Sequence, residues 1–133
     1  MILVDSSVWI DFFKGSDTDS VQILERLLQE EEELTVSDYI LTEVLQGFKK
    51  DKDFEMARKH LLLFPIYSLS SPDSYIQAAQ IYRLCRQKGI TIRNTMDCLI
   101  AQTALENDLV LLHDDSDFNR IAEVCPLAIY RLS

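Results

Sequence analysis

Short apolar segments alternate with longer amphipathic segments along the whole of this chain. The short segments have the length of strands and are rich in branched side chains; they span residues 2–4, 34–36, 66–69, 109–112 and 127–131. The longer segments repeat apolar residues at helical spacing, and they span residues 19–33, 38–48, 54–64, 71–88, 95–107 and 118–124. This alternation predicts an α/β fold with three layers (α/β/α), in which a short parallel sheet is flanked by helices.

Polar residues mark where the predicted helices begin. The candidate caps are Asp19 or Ser20, Ser37 or Asp38, Ser71, and Asn94 or Thr95. We expect Gly89 to end the helix that begins near Ser71. Between the helices, residues 49–53 are expected to form a charged turn and residues 114–117 a polar loop.

The length of 133 residues is typical of one domain, so residues 1–133 are expected to form a single domain. No apolar run approaches the roughly 20 residues that cross a bilayer, which predicts a cytoplasmic protein without a membrane partner. The cysteines, Cys85, Cys98 and Cys125, are far apart and lie in apolar surroundings. Because this pattern fits neither a disulfide framework nor a zinc site, we expect buried, reduced thiols.

Five carboxylates occupy positions that a parallel sheet can bring together. They are Asp5 after the first strand, Glu43 within helix 38–48, Asp97 in the first turn of helix 95–107, and Asp115 with Asp117 after strand 109–112. Taken singly, each is explained as a turn acid, a helix-terminal acid or a solvated side chain. Because ligands bind at the carboxyl ends of the strands in such sheets, their joint placement predicts one site.

Carboxylates that share a site repel one another unless a cation lies between them. A ligand set made only of oxygen atoms suits Mg²⁺ or Mn²⁺ better than zinc. Such ions activate water and stabilise the negative charge that develops on a phosphate during hydrolysis. The acids therefore predict a metal-dependent phosphodiester hydrolase.

Four segments carry these acids in a characteristic order and at characteristic spacing. They are residues 2–10 (ILVDSSVWI), 37–47 (SDYILTEVLQG), 94–101 (NTMDCLIA) and 111–118 (LLHDDSDF). Together they resemble the motifs of the PIN domain family, and within it the VapC-type toxins of bacterial and archaeal toxin–antitoxin pairs. The resemblance covers nearly the whole chain.

This resemblance implies a PIN-like fold and a metal-dependent endoribonuclease that hydrolyses RNA phosphodiester bonds with metal-activated water. The implied metal-binding and catalytic residues are Asp5, Glu43, Asp97 and Asp115, with Mg²⁺ or Mn²⁺ as the cofactor. It also implies a homodimer, a VapB-type antitoxin that forms a heterotetramer or larger assembly with the toxin, and contact with DNA only through that antitoxin.

Two choices within the motifs stay open. The fourth motif offers Asp115, Asp117 and also Asp114; we favour Asp115 as the metal-side acid, because its place in the Asp-x-Asp-Phe pattern matches best, and we assign Asp117 a supporting role. Near the first acid we favour the Ser7 hydroxyl over that of Ser6, because within a turn it can reach back to orient Asp5.

The formal net charge of −9 counts against non-specific nucleic-acid binding and suits a basic protein partner. Two groups of basic residues are nevertheless candidates for contacts with RNA phosphates. They are Arg83, Arg86, Lys88 and Arg93, which precede the Asp97 helix, and Lys49, Lys50 and Lys52, which follow the Glu43 helix. The alternative for each single residue is a solvated surface charge.

The aromatic and histidine residues allow two interpretations. Trp9, Phe12 and Phe13 lie at helical spacing and can stack on RNA bases, although packing in the core or against a partner is the favoured interpretation. For such a partner, helix 9–13 with Ile40, Leu41 and Leu45 is a candidate wall of an apolar groove. An arginine of the antitoxin can also reach the carboxylates. His113 is a candidate proton carrier or, more simply, a structural residue at a strand end, and we expect His60 to be solvated.

Other classes of protein fit the sequence less well. A phosphatase with an Asp-x-Asp pair after its first strand would need an acid at position 7, which is Ser7. A receiver domain would need a phosphate-accepting aspartate and a lysine after particular strands, and neither is in place. A PIN scaffold that only binds partners would not need the complete set of acids.

Overall fold

The structure, a computed structural model, describes residues 1–131. Its strands are β1 (Ile2–Val4), β2 (Leu34–Ser37), β3 (Ile66–Tyr67) and β4 (Val110–Leu112). Its helices are α1 (Ser6–Lys14), α2 (Asp19–Gln29), α3 (Asp38–Leu45), α4 (Asp51–Leu61), α5 (Pro72–Gln87), α6 (Thr95–Glu106) and α7 (Ser116–Ile121). Two helices separate each strand from the next, and α7 follows the last strand.

The four strands form one parallel sheet in the order β3-β2-β1-β4. In the two central strands Leu3, Val4 and Val36 are completely buried, because helices cover the sheet on both faces. The predicted three-layer α/β/α fold with a short parallel sheet is thereby confirmed. Val4 of β1 lies beside Leu112 of β4, so these strands end at the same edge of the sheet.

Side-chain caps fix where several helices begin. Ser37 caps α3, Ser71 caps α5 and Asn94 caps α6, and in each case a side-chain oxygen accepts a hydrogen bond from a backbone N–H of the first turn. These three positions are as predicted. Helix α2 differs, since Thr18 Oγ1 accepts from the Val21 N–H and neither Asp19 nor Ser20 is the cap.

The predicted starts of α4 and α7 were wrong by two to three residues. Helix α4 begins at Asp51 and not at Phe54, because the acids of the supposed turn, Asp51 and Asp53, lie in its first turn, where they complement the helix dipole. Helix α7 begins at Ser116 and not at Phe118, because Asp115 caps it through the Asp117 N–H.

The predicted last strand, residues 127–131, was also wrong. Within the described residues this segment makes one isolated bridge, between Leu111 and Ile129. The Leu111 N–H donates to the Ala128 carbonyl and the Tyr130 N–H donates to the Leu111 carbonyl, both at 2.8 Å. These two hydrogen bonds hold the segment against β4. Because they involve only one residue of β4, they do not form the continuous ladder of a strand pair.

An aromatic cluster lies between α1 and the end of α4. Trp9 is completely buried, and its ring contacts Phe12, Phe13, His60 and Phe64 with centroid distances of 5.6–5.9 Å. Trp9 therefore belongs to the core and cannot stack on RNA bases. The expectation that His60 is solvated was wrong: its ring packs among these aromatic rings, and this partial burial lowers the pKa of His60.

All three cysteines carry free thiols; Cys85 and Cys98 are buried, whereas Cys125 is partly buried. No helix within residues 1–131 is long and apolar enough to cross a membrane.

Candidate functional site

The five acids gather at the carboxyl edge of β1 and β4. Asp5 follows β1 directly, and its N–H donates to the Leu112 carbonyl at the end of β4, at 2.9 Å. The chain that leaves β4 therefore carries Asp115 and Asp117 to the same edge. Helices α3 and α6 pack against each other and bring Glu43 and Asp97 to this edge from the side.

Asp5 is held rigidly at the start of α1. It is buried, and Oδ2 accepts hydrogen bonds from the Ser7 N–H at 3.1 Å and from the Ser7 hydroxyl at 2.7 Å. Oδ1 is buried, and no hydrogen-bond donor among residues 1–131 reaches it. Burial raises the pKa of Asp5, the bonds from Ser7 and Ser6 oppose the rise, and the charge of Asp115 adds to it.

Ser6 and Ser7 orient two different acids. The Ser6 hydroxyl donates to Glu43 Oε1 at 3.1 Å. The Ser7 hydroxyl donates to Asp5, and its oxygen also accepts a hydrogen bond from the Asp114 N–H at 3.0 Å. Burial raises the pKa of Glu43, and the charges of Asp5 and Asp115 raise it further. Ser7 thus links Asp5 to the loop after β4, and Ser6 links α1 to α3.

Asp97 feels the mutual repulsion most strongly. It is only 5% exposed in the first turn of α6. Burial, followed by the charges of Asp115, Asp5, Glu43 and Asp117, raises the pKa of Asp97 to about 7. The positive end of the α6 dipole favours the charged form by up to about 2 kcal/mol at a partly buried position, which is less than the opposing effect of burial and neighbouring charges. The four other acids therefore lie close enough to Asp97 to disfavour its ionised form.

Asp115 and Asp117 differ in what surrounds them. Carboxylate oxygens of Asp97, Asp115 and Asp117 lie within 4.8 Å of one another, so distance alone would make all three cation ligands. Both oxygens of Asp117 are already paired, however: Oδ1 with Arg120 Nη1 at 2.6 Å and Oδ2 with Arg93 Nε at 3.4 Å. Asp115 is more open, and its recorded contacts, with the Asp117 N–H and Arg93 Nη2, use only Oδ1.

The arrangement suits a hard divalent cation. Burial and the charges of neighbouring acids raise the pKa values of Asp5, Glu43 and Asp97, and Asp5 presents a buried oxygen with no hydrogen-bond donor among residues 1–131. A cation removes this repulsion and satisfies that oxygen. The donor set contains only oxygen atoms, which favours Mg²⁺ or Mn²⁺ over zinc.

His113 holds the loop after β4. Its Nδ1 accepts from the Asp115 N–H at 3.1 Å, and its ring packs on Phe118 with a centroid distance of 5.2 Å. Burial lowers the pKa of His113. These contacts favour the structural interpretation over that of a proton carrier.

Of the predicted phosphate-binding residues, Arg93 alone is recorded in contact with the acids within the described part of the chain. Arg83 donates to Gln80, Arg86 lies over the Tyr82 ring, and Lys88 ends α5. Lys49 and Lys50 are exposed between α3 and α4, and Lys52 is exposed in the first turn of α4. Sequence reasoning missed Arg120, although it stands three residues after Asp117 on a helix, a spacing at which opposite charges pair.

Comparisons with known proteins give a consistent result. A family profile described as "PIN domain" matches residues 2–124. VapC ribonuclease Mb1587 of Mycobacterium bovis and Ribonuclease VapC11 of Mycobacterium tuberculosis are each 31% identical over 128 residues, which cover 96% of this chain and 96% of the relative. The fold is similar to that of VapBC2 from Rickettsia felis bound to a DNA fragment from their promoter, with a TM-score of 0.76, 21% identity and complete coverage of both chains.

Proposed function

The chain belongs to the PIN domain family and, within it, to the VapC-type proteins, and we propose that it is an endoribonuclease that requires Mg²⁺ or Mn²⁺. The observation that carries the metal requirement is the gathering of Asp5, Glu43, Asp97 and Asp115, in which burial and neighbouring charges, including that of Asp115, raise the pKa values of the other three. Without a cation, repulsion between these carboxylates destabilises the folded protein. A bound cation removes this repulsion and gives the cluster a function. The relatives' description as ribonucleases supports RNA as the substrate.

Each acid has a distinct part in this proposal. Asp5 and Asp97 would hold the cation most directly, and Glu43 and Asp115 would complete the site. When bound, Mg²⁺ or Mn²⁺ supplies Lewis acidity, which lowers the pKa of water and stabilises negative charge on a phosphate.

The surrounding residues keep the acids in position. The Ser7 hydroxyl holds Oδ2 of Asp5, so that Oδ1 is the oxygen left for the cation. The Ser6 hydroxyl fixes Glu43 in the same way. His113 fixes Asp115 by accepting its backbone N–H. Because these oxygens are oriented in advance, little reorganisation is needed when substrate binds.

We also propose that the protein is the toxin of a toxin–antitoxin pair in the cytoplasm and forms a homodimer, which binds a VapB-type antitoxin in a heterotetramer or larger assembly. Similar structures are of VapBC2 from Rickettsia felis and VapBC from Salmonella typhimurium, both bound to DNA, which this chain would contact only through its antitoxin. The groove wall expected from the sequence needs revision, since Trp9 and Ile40 are completely buried. Phe12, Leu41 and Leu45 are only partly buried and remain available to an apolar segment.

Cleavage assays test the enzymatic proposal. We expect the wild type to cleave RNA internally with Mg²⁺ or Mn²⁺, and Asp5→Asn and Asp97→Asn to lose cleavage while they keep the fold. Asp73→Asn is the matched control, because Asp73, like Asp97, lies in the first turn of a helix. Unlike Asp97, it is exposed and does not belong to the acid cluster. Full activity of both site variants would refute the assignment. A wild type that folds, binds its antitoxin and cleaves no RNA would favour a scaffold that only binds partners.

A further inference from the structure

A groove of about 490 Å³ lies beside the acid cluster. Its lining residues come from the turn after α5, the approach to α6 and the start of α7: Gly89, Ile90, Thr91, Arg93, Ser116 and Arg120. Ser116 stands between Asp115 and Asp117 in the chain, so the groove borders the candidate cation site. The groove itself is not part of the site described above, which consists of the acids and the residues that contact them, including Arg93 and Arg120.

The two arginines of the groove share one buried carboxylate. Asp117 is 1% exposed, and it pairs with Arg120 through Oδ1 and with Arg93 through Oδ2. The Arg93 N–H also donates to Oδ2 at 3.4 Å, so that backbone and side chain are fixed together. Two guanidinium charges therefore face the two carboxylates of Asp117 and Asp115, because Arg93 Nη2 also lies 3.5 Å from Asp115 Oδ1.

Both guanidinium groups keep donors for a ligand. The side chain of Arg93 is 72% exposed and that of Arg120 is 48% exposed. Each guanidinium has five N–H donors, and the contacts with acids occupy only some of them. The hydroxyl groups of Thr91 and Ser116 add donors to the lining. Gly89, with φ of +74°, makes the turn that closes this side of the groove.

We propose that the Arg93–Arg120 groove binds a phosphate of the RNA backbone next to the scissile bond, and that Asp117 is a positioning residue for both arginines and not a cation ligand. This inference rests on the proposed ribonuclease function and extends it to how RNA is held. A planar guanidinium matches the geometry of phosphate oxygens, and a pair of them beside the acids places the chain of a polyanion across the cation site.

The negative overall charge restricts where RNA can bind. With a formal net charge of −9, most of the surface repels RNA, so binding depends on local basic groups. Arg83, Arg86 and Lys88 lie on or at the end of α5 outside the groove lining. The cavity that joins two anchored arginines to the acids is therefore the site at which a backbone phosphate is held.

RNA binding by Arg120→Gln tests the groove, with Arg58→Gln as the matched control. Arg58 is also 48% exposed and also pairs with an acid three residues away on its helix, but it lies on α4. Both variants are made on the Asp97→Asn background to prevent cleavage, and a short fluorescein-labelled RNA of mixed sequence is followed by fluorescence anisotropy with Mg²⁺ over a range of salt concentrations. We expect Arg120→Gln to raise the Kd roughly tenfold. The slope of log K against log salt concentration should fall by about 0.7, the value for one phosphate contact on a single strand. Equal RNA affinity of the two variants would refute the proposal that the groove binds a backbone phosphate.

Steady-state cleavage by Asp117→Asn tests the positioning role. Asparagine keeps the size of the side chain but binds the arginines less strongly, so KM for RNA should rise while kcat stays close to that of the wild type. Arg120→Lys, which keeps the charge, should restore part of the binding that Arg120→Gln loses. A loss of kcat with unchanged KM would instead make Asp117 a cation ligand and overturn the inference. A wild type that cleaves no RNA would refute the proposed function and this inference with it. If the wild type cleaves RNA and Arg120→Gln binds RNA normally, only the phosphate-binding role of the groove is refuted.

Discussion

Asp97→Asn should make the metal-free protein more stable at pH 8, although it removes a residue of the site. In the wild type the pKa of Asp97 is about 7 in place of 3.8. That difference corresponds to about 4 kcal/mol against the ionised form in the folded protein, since a tenfold change in proton affinity is about 1.4 kcal/mol. Because water reaches part of the cluster and screens the charges, we expect about half of this, ~2 kcal/mol. For a chain of this length the gain corresponds to a rise in Tm of about 6 °C.

The pH dependence follows from the direction of the change in pKa. Between pH 3.8 and 7 the folded protein binds more protons at Asp97 than the unfolded chain does, so the stability of the wild type falls as pH rises through this range. Burial and neighbouring charges raise the pKa of Asp5 and Glu43 as well, and both act in the same direction. The advantage of Asp97→Asn should therefore be large at pH 8 and nearly absent at pH 4.

Thermal unfolding followed by circular dichroism measures this effect, in EDTA at both pH values and again with Mg²⁺. Asp73→Asn is the control, because Asp73 lies in the first turn of α5 and is exposed. Mg²⁺ should stabilise the wild type more than Asp97→Asn. If Asp97→Asn is less stable than the wild type in EDTA at pH 8, the carboxylates do not repel one another as described.

Three further substitutions probe single contacts. Ser7→Ala removes the hydroxyl that links Asp5 to the Asp114 N–H, and it should lower kcat for RNA cleavage roughly tenfold and the free energy of unfolding in urea by about 1 kcal/mol. Gly89→Ala should cost about 1–2 kcal/mol in the same urea assay, because φ at this position is +74°; an unchanged midpoint would contradict this. The wild type should lose stability below about pH 6.5, because burial lowers the pKa of His60 and the unfolded chain then binds more protons than the folded one. His60→Phe should not show this loss. Parallel pH profiles of the two proteins would refute that reason.

The sheet and the gathering of acids were predictable because they depend on local sequence. Strands β1 and β4 are short apolar runs, and Asp5 and Asp115 follow them within one and three residues, respectively. Parallel strands end at one edge, so Asp5 and Asp115 had to meet there once the alternation of strands and helices was recognised. The resemblance to PIN domains added Glu43 and Asp97, whose positions on helices do not by themselves point to a site.

Features that depend on contacts distant in sequence were not predictable. The segment 127–131 has the composition of a strand, but it pairs with the sheet only around Leu111. The sequence pattern favours Asp115 over Asp117 but does not show that both oxygens of Asp117 pair with Arg93 and Arg120, since these contacts depend on the fold. The early start of α4 had a local signal, since Asp51 and Asp53 favour a helix N-terminus as much as a turn.

Titration with Mn²⁺ decides whether the acid cluster is a catalytic metal site, because electron paramagnetic resonance reports binding of this ion and RNA cleavage can be followed in the same samples. We expect cleavage to be absent in EDTA and to reach half its maximum at a Mn²⁺ concentration close to the dissociation constant measured for Mn²⁺ binding. We also expect Asp5→Asn to weaken Mn²⁺ binding and cleavage together. Cleavage that persists in EDTA, or Mn²⁺ binding that is unchanged in Asp5→Asn, would contradict this role of the cluster.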